Sequence, residues 1–153
     1  MFSKACEYAI RAALYVAIKS TNGERLGLKE IAKEVDSPLP FTAKILQTLS
    51  REGIISSTKG PNGGFYLKPK SKPIPLSAIV RAIDGTDTLH TCGIGLKECS
   101  DRFPCPIHDQ VKAYKESLRR AMNEKTIQEL AIDLTEGKTF LKNRVRSTLT
   151  NKK

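Results

Sequence analysis

Three of the four cysteines and one of the two histidines lie within 17 residues, in the run C-G-I-G-L-K-E-C-S-D-R-F-P-C-P-I-H from Cys92 to His108. Six residues separate Cys92 from Cys99, five separate Cys99 from Cys105, and two separate Cys105 from His108. Thiolates are soft ligands that suit iron–sulfur clusters, zinc and copper(I). Gly93, Gly95, Pro104 and Pro106 keep the run out of regular structure, so a loop can gather its sulfurs about one point. Three readings compete. One is unconnected small residues packed in a loop, but chance rarely gathers this many ligands. A second is structural zinc, yet zinc sites favour cysteines paired two to four residues apart, and the run has no such pair. The third is an iron–sulfur cluster, whose ligand spacings vary more widely, and spacing favours it over zinc.

The rest of the chain must position that loop. A chain of 153 residues fits one compact domain or a small domain with an appendage, and 39% hydrophobic residues suffice for a core. No run of about 18 apolar residues offers a membrane span. Cys6, Glu7 and Arg11 interrupt any signal-peptide core, so the expected place is the cytoplasm, with no membrane partner. Cysteines there are usually reduced, which leaves metal or redox chemistry for the thiols. The net charge of +10 is uneven: residues 1–75 carry +6, residues 76–136 carry −2, and residues 137–153 carry six basic and no acidic side chains. A basic front half points to a polyanion, nucleic acid first, with a merely solvated lysine surface as the alternative.

Residues 3–20 read as a helix capped by Ser3, with Tyr8, Ala12, Tyr15 and Ile18 on a buried face. After the Asn22-Gly23 turn, a short helix at 28–35 has Leu28, Ile31, Ala32 and Val35 inward. A third helix at 41–52 carries Phe41, Ile45, Leu46 and Leu49 as its stripe, with Pro40 in its first turn and Gly53 ending it. The pair makes a helix-turn-helix, with Thr42, Lys44, Gln47 and Thr48 outward, able to meet phosphates or base edges of double-stranded DNA. Residues 54–58 and 65–67 are strand-like around the turn Gly60-Pro61-Asn62-Gly63-Gly64, which makes a wing with Lys59 and Asn62 at its tip. A linker at 68–75 and a helix at 76–84 lead to the cysteine loop. Behind it, Ile107, Val111, Tyr114, Leu118 and Met122 recur at spacings of four, three, four and four on a helix of about 106–123. One apolar face projecting from a small domain needs a partner, and a second copy is the simplest. A further helix spans 126–134, and a basic flexible tail follows Gly137. The expected fold is mainly α with a small β hairpin: a winged domain and linker at 1–75, the loop and dimerisation helices at 76–136, and the tail at 137–153.

The segments E-Y-A-I-R-A-A-L, R-E-G-I-I-S-S-T-K-G-P-N-G-G-F-Y-L and the cysteine loop with its following helix resemble the IscR/NsrR-type family of winged-helix bacterial transcriptional regulators. The resemblance covers roughly residues 1–135. It implies a homodimer, a near-palindromic operator, and an iron–sulfur cluster held by Cys92, Cys99 and Cys105. It also implies one of two fourth ligands: His108, or Glu7 from the first helix of the other subunit. Imidazole suits a 2Fe–2S site, so 2Fe–2S with His108 is expected ahead of 4Fe–4S or Glu7. The recognition positions Pro40, Ala43 and Lys44 differ in kind from those of IscR-like members, which implies a different operator. Cys6 lies outside the pattern and reads as a buried small residue.

The function expected is repression or activation of promoters, controlled by a cluster that senses iron–sulfur status, nitric oxide or redox state. The alternative is a cluster-free regulator of the same fold that uses thiol oxidation or a partner protein as its signal. An enzyme is not expected, because His90 and His108 both sit in or beside the loop and nothing else supplies a base and nucleophile.

Overall fold

A computed structural model describes residues 1–142. Six helices and one hairpin follow in order: α1 (Lys4–Ser20), α2 (Leu28–Val35), α3 (Leu39–Arg51), β1 (Ser56–Thr58), β2 (Gly64–Tyr66), α4 (Leu76–Asp84), α5 (His108–Glu124) and α6 (Ile127–Thr135). The architecture is the expected one, mainly α with a small antiparallel hairpin. No helix among the described residues is long and apolar enough to cross a membrane.

Helix α1 begins where its sequence signals a start, with the Ser3 hydroxyl accepting from the Cys6 N–H at 3.0 Å. Its buried side is wider than the expected stripe. Cys6, Ala9, Ala12, Ala13, Val16 and Ala17 are at most 2% exposed, whereas Tyr8, Tyr15 and Ile18 are only partly covered. The reason is that α1 is the central helix, packed by α2, α3, α4 and α6, and its alanines let those neighbours approach closely. Leu76, Ile79, Ile127 and Ala131 join the same core, so α4, which leads into the cysteine loop, and α6, which follows α5, pack on the first helix of the winged part. Cys6 is fully buried there, and burial, reinforced by Asp84, pushes its thiol up to about 12.

The hairpin is shorter than its sequence suggests, because Ile54 and Ile55 serve the core instead. Their N–H groups both donate to the Leu49 carbonyl, closing α3 rather than extending a strand. A third segment completes the wing: Leu26 and Phe65 exchange backbone hydrogen bonds of 2.9 and 2.8 Å. Gly64 makes this approach feasible, because a Cβ there would lie 2.7 Å from the Leu26 carbonyl oxygen. The segment after α6 is held at its start. Leu141 packs against the core and Lys142 pairs with Glu34 at 3.2 Å, at the start of the stretch expected to be a flexible tail. The remainder of that expected tail, residues 143–153, lies outside the described residues.

Candidate metal centre and nucleic-acid interface

Helix α4 ends at Gly85, and a single 3-10 turn, Asp87–Leu89, delivers the chain into the cysteine loop. The loop closes at α5, whose first residue is His108, with the His108 N–H donating to the Cys105 carbonyl at 3.0 Å. Gly93 lies against Val111 so closely that a Cβ would meet its side chain at 2.8 Å. The loop is thereby seated on the first turns of α5.

Its four candidate ligands form two pairs. Cys92 is buried, and the backbone N–H groups of Ile94 and Leu96, helped by Cys105 and Lys115, hold its thiol below the ordinary range. The Cys99 sulfur lies 3.6 Å from His108 Nδ1, and His108 is itself only 4% exposed. Its other nitrogen, Nε2, is 2.8 Å from Asp101 Oδ1, which also accepts from Lys112 Nζ at 2.8 Å. Lys112 and then His108 hold the Asp101 carboxyl below the usual carboxylate range. Among the described residues, no three His, Cys, Asp or Glu side chains converge as a set that could hold a metal ion. Glu7 stands apart on α1, paired with Lys4 at 2.9 Å, and Lys4 lowers its pKa.

The donor chemistry fits an iron–sulfur group. Three thiols and an imidazole belong to one short loop, one thiol is already biased toward thiolate, and backbone N–H groups face its sulfur. A further observation agrees. Lys115 Nζ is shut off from solvent with no hydrogen-bond partner, beside a cavity of about 220 Å³ lined also by Cys99, Asp101 and His108. An ammonium left this way favours a nearby negative charge, which a thiolate-bound cluster carries. Sequence reading missed both Lys115 and Asp101. Lys115 looks like one more surface lysine of α5, and nothing in spacing distinguishes Asp101 from other loop carboxylates.

On the winged side, Lys44, Gln47, Lys59 and Asn62 are exposed. Thr42 is not. It is 1% exposed and its hydroxyl donates to the Pro38 carbonyl at 3.0 Å, so it faces the core rather than the outer surface. Thr48 is half-buried and donates to the Lys44 carbonyl within its own helix. Arg25 was not singled out by sequence. Its guanidinium stacks 4.8 Å from the Tyr66 ring centroid and donates to Thr58 Oγ1 at 3.0 Å, bracing the wing from the segment that carries Leu26. Recognising it requires the Leu26–Phe65 bridge, which no local pattern reveals.

The α5 stripe divides. Ile107 and Tyr114 are 42% and 55% exposed, and Leu118 is half-buried. Val111 is partly covered by Gly93, and Met122 is half-buried and packs in part against the core.

Comparison with known proteins places this geometry. The family model described as Rrf2, iron-dependent transcriptional regulator, matches residues 2–133. A protein of Aquifex aeolicus (strain VF5), designated an HTH-type transcriptional regulator, is 32% identical over 143 residues, spanning 92% of this chain and 96% of the relative. The HTH-type transcriptional regulator IscR of Yersinia enterocolitica is 27% identical over 80% of this chain and 74% of its own length. Among solved structures, CymR (YrzC), the global cysteine regulator of B. subtilis, superposes with a TM-score of 0.68 at 19% identity, over 86% of this chain and 96% of that one. IscR of T. potens gives 0.66 at 19% identity, over 93% of each chain. These structural likenesses show the winged-helix fold. With the family model spanning most of its length, the chain belongs to the Rrf2 family, and it is a DNA-binding transcriptional regulator rather than an enzyme.

Proposed function

We propose that the protein acts in the cytoplasm as a homodimeric regulator, in most settings a repressor. Its grip on a near-palindromic double-stranded operator is set by an iron–sulfur cluster, 2Fe–2S in preference to 4Fe–4S. Cys92, Cys99, Cys105 and His108 would hold the group. The observation that carries this reading is the loop itself, where three thiols and a buried imidazole sit with a thiolate-favoured Cys92 and an unpartnered ammonium at Lys115. When bound, the group supplies a centre that reacts with oxidants and nitric oxide. Every other part of the mechanism belongs to the chain.

The loop hangs between α4 and α5, so bringing its two donor pairs together pulls on both helices. The end of α4 is tied to the winged domain, because Asp84 accepts from the Ser3 N–H at 2.9 Å and also from the Ser3 hydroxyl, the cap of α1. Helix α4 also packs against α3. Loop closure would thus reposition α3, from which Lys44, Gln47 and Thr48 would meet DNA, while Lys59 and Asn62 would meet it from the wing. Thr42 has no part in that contact. Ile107, Tyr114 and Leu118, with the exposed part of Val111, would form the dimer face of α5, with Met122 supporting it from beneath.

The test is anaerobic reconstitution of the parent and of Cys92→Ala, Cys99→Ala, Cys105→Ala, His108→Ala and Glu7→Ala, each scored by iron and sulfide content and visible spectrum. Loss in all but Glu7→Ala supports the assignment. An altered spectrum in Glu7→Ala alone among the last two moves the fourth ligand to Glu7, and a colourless, iron-free parent refutes the reading. A second reading keeps the DNA binding and uses the thiols directly. It draws on the mutual influence of the Cys92 and Cys105 thiols, which could pass two electrons and two protons to an oxidant and become a disulfide.

A further inference from the structure

His108 occupies an unusual position for an imidazole at the start of a helix. It is 4% exposed, and its two ring nitrogens face groups of different kinds: Nδ1 faces the Cys99 sulfur at 3.6 Å, and Nε2 faces Asp101 Oδ1 at 2.8 Å. Asp101 is 74% exposed along its side chain and would ordinarily be a solvated loop carboxylate. Two features make it more than that. The same Oδ1 receives Lys112 Nζ at 2.8 Å, and Lys112 lies one helical turn after His108, so both donors project from one face of α5. The loop and the helix are thus joined through a single oxygen atom.

We infer that Asp101 is a positioning residue that fixes His108 as its Nε2–H tautomer, so that Nδ1 presents its lone pair to the sulfur-lined interior of the loop. An ionised carboxylate can only accept, so the nitrogen against it must carry the proton. In an imidazole with a single N–H, Nε2 holds that hydrogen against Asp101, and Nδ1 is left as the acceptor that faces the Cys99 sulfur. Lys112 anchors Asp101 to α5 through the same oxygen, which gives the lock a fixed direction. For a metal-bound histidine, a carboxylate on the second nitrogen sets ring orientation and raises basicity. The consequence for the loop is specific: if iron is taken up, His108 binds it through Nδ1, and Asp101 supports it from the solvent side. That last step rests on the cluster reading, whereas the tautomer does not.

The two parts are tested separately. In metal-free protein labelled with ¹⁵N-histidine, only His90 and His108 report, and a long-range proton–nitrogen correlation identifies the tautomer of each. The parent should show His108 as the Nε2–H form, Asp101→Ala should give a mixture or the Nδ1–H form, and Asp101→Asn should restore the parent pattern through its amide oxygen. Lys112→Ala should keep the tautomer. A parent in the Nδ1–H form, or Asp101→Ala with an unchanged His108 pattern and an intact amide spectrum, would overturn the inference. After anaerobic reconstitution, Asp101→Ala should release iron about 10- to 100-fold more readily than the parent, the usual range for such outer partners. Its electron–nuclear coupling from the bound nitrogen should also change, while Asp101→Asn should lie near the parent. Equal iron retention and coupling in Asp101→Ala would refute the supporting role. A parent that takes up no iron would sink the proposed function and leave the tautomer result standing.

Discussion

Gly64→Ala is the substitution whose effect the geometry of the wing fixes most tightly. Gly64 has φ of +145°, a conformation that side chains rarely adopt, and an added Cβ would lie 2.7 Å from the carbonyl oxygen and 2.9 Å from the carbonyl carbon of Leu26. Those are backbone atoms of a residue only 1% exposed, so they cannot swing aside. Adopting the strained conformation costs about 1–3 kcal/mol. Parting the strands to clear the Cβ forfeits the two Leu26–Phe65 hydrogen bonds, each about 0.5–1.5 kcal/mol. The sum, about 2–6 kcal/mol, is a large share of the roughly 5–15 kcal/mol that holds a domain together. Urea unfolding should therefore show at least about 2 kcal/mol of destabilisation. Hydrogen exchange should accelerate at Leu26 and Phe65, and DNA affinity should fall with the loss of a braced wing. A stability change within about 0.5 kcal/mol, the scatter of ordinary surface substitutions, would refute the close approach.

Thr42→Val should lower stability by about 0.5–1.5 kcal/mol in urea unfolding and leave operator preference unchanged, while Lys44→Ala and Gln47→Ala should shift the sequences selected from a random DNA pool; a shifted preference in Thr42→Val would restore it to the outer surface. Leu118→Lys should give monomers by sedimentation and weaker operator binding, since each apolar side chain fully buried in an interface contributes about 1.5–3 kcal/mol. Below pH 9 the Cys6 thiol is neutral in folded and unfolded chains alike, and above it the unfolded chain ionises first. Stability should thus fall as pH rises from 9.0 toward 12, and Cys6→Ala should flatten part of that fall, Tyr15 accounting for another part. Lys115→Met should leave the reconstituted protein harder to reduce, because it removes a cation beside the Cys92 thiolate, and an unchanged potential would place that charge elsewhere.

Helix positions were legible in the sequence because caps and breakers mark them: Ser3, Pro40 and Gly85 sit at or beside the observed ends of α1, α3 and α4. The buried face of α1 was not, since a helix surrounded by four others has no single stripe, and Ala9, Ala13 and Ala17 carry little pattern. Thr42 was misplaced for a related reason. A threonine at stripe spacing reads as polar and outward until its hydroxyl is seen to close on the Pro38 carbonyl. In the cysteine loop, residue type and spacing named the donors, whereas the Asp101 link and the Lys115 ammonium depend on which face of α5 the loop rests against. Gly93 on Val111 sets that seat, and only the packed chain displays it.

The most direct test of the account is to titrate one anaerobic preparation, before and after chelation of its iron, against an operator selected from random double-stranded DNA with the loaded protein. The loaded sample should hold iron and sulfide in equal numbers, affinity should fall with rising salt in both forms, and operator affinity should change on iron removal and return on reconstitution. Identical operator affinity for the loaded and iron-free protein would contradict control by the cluster.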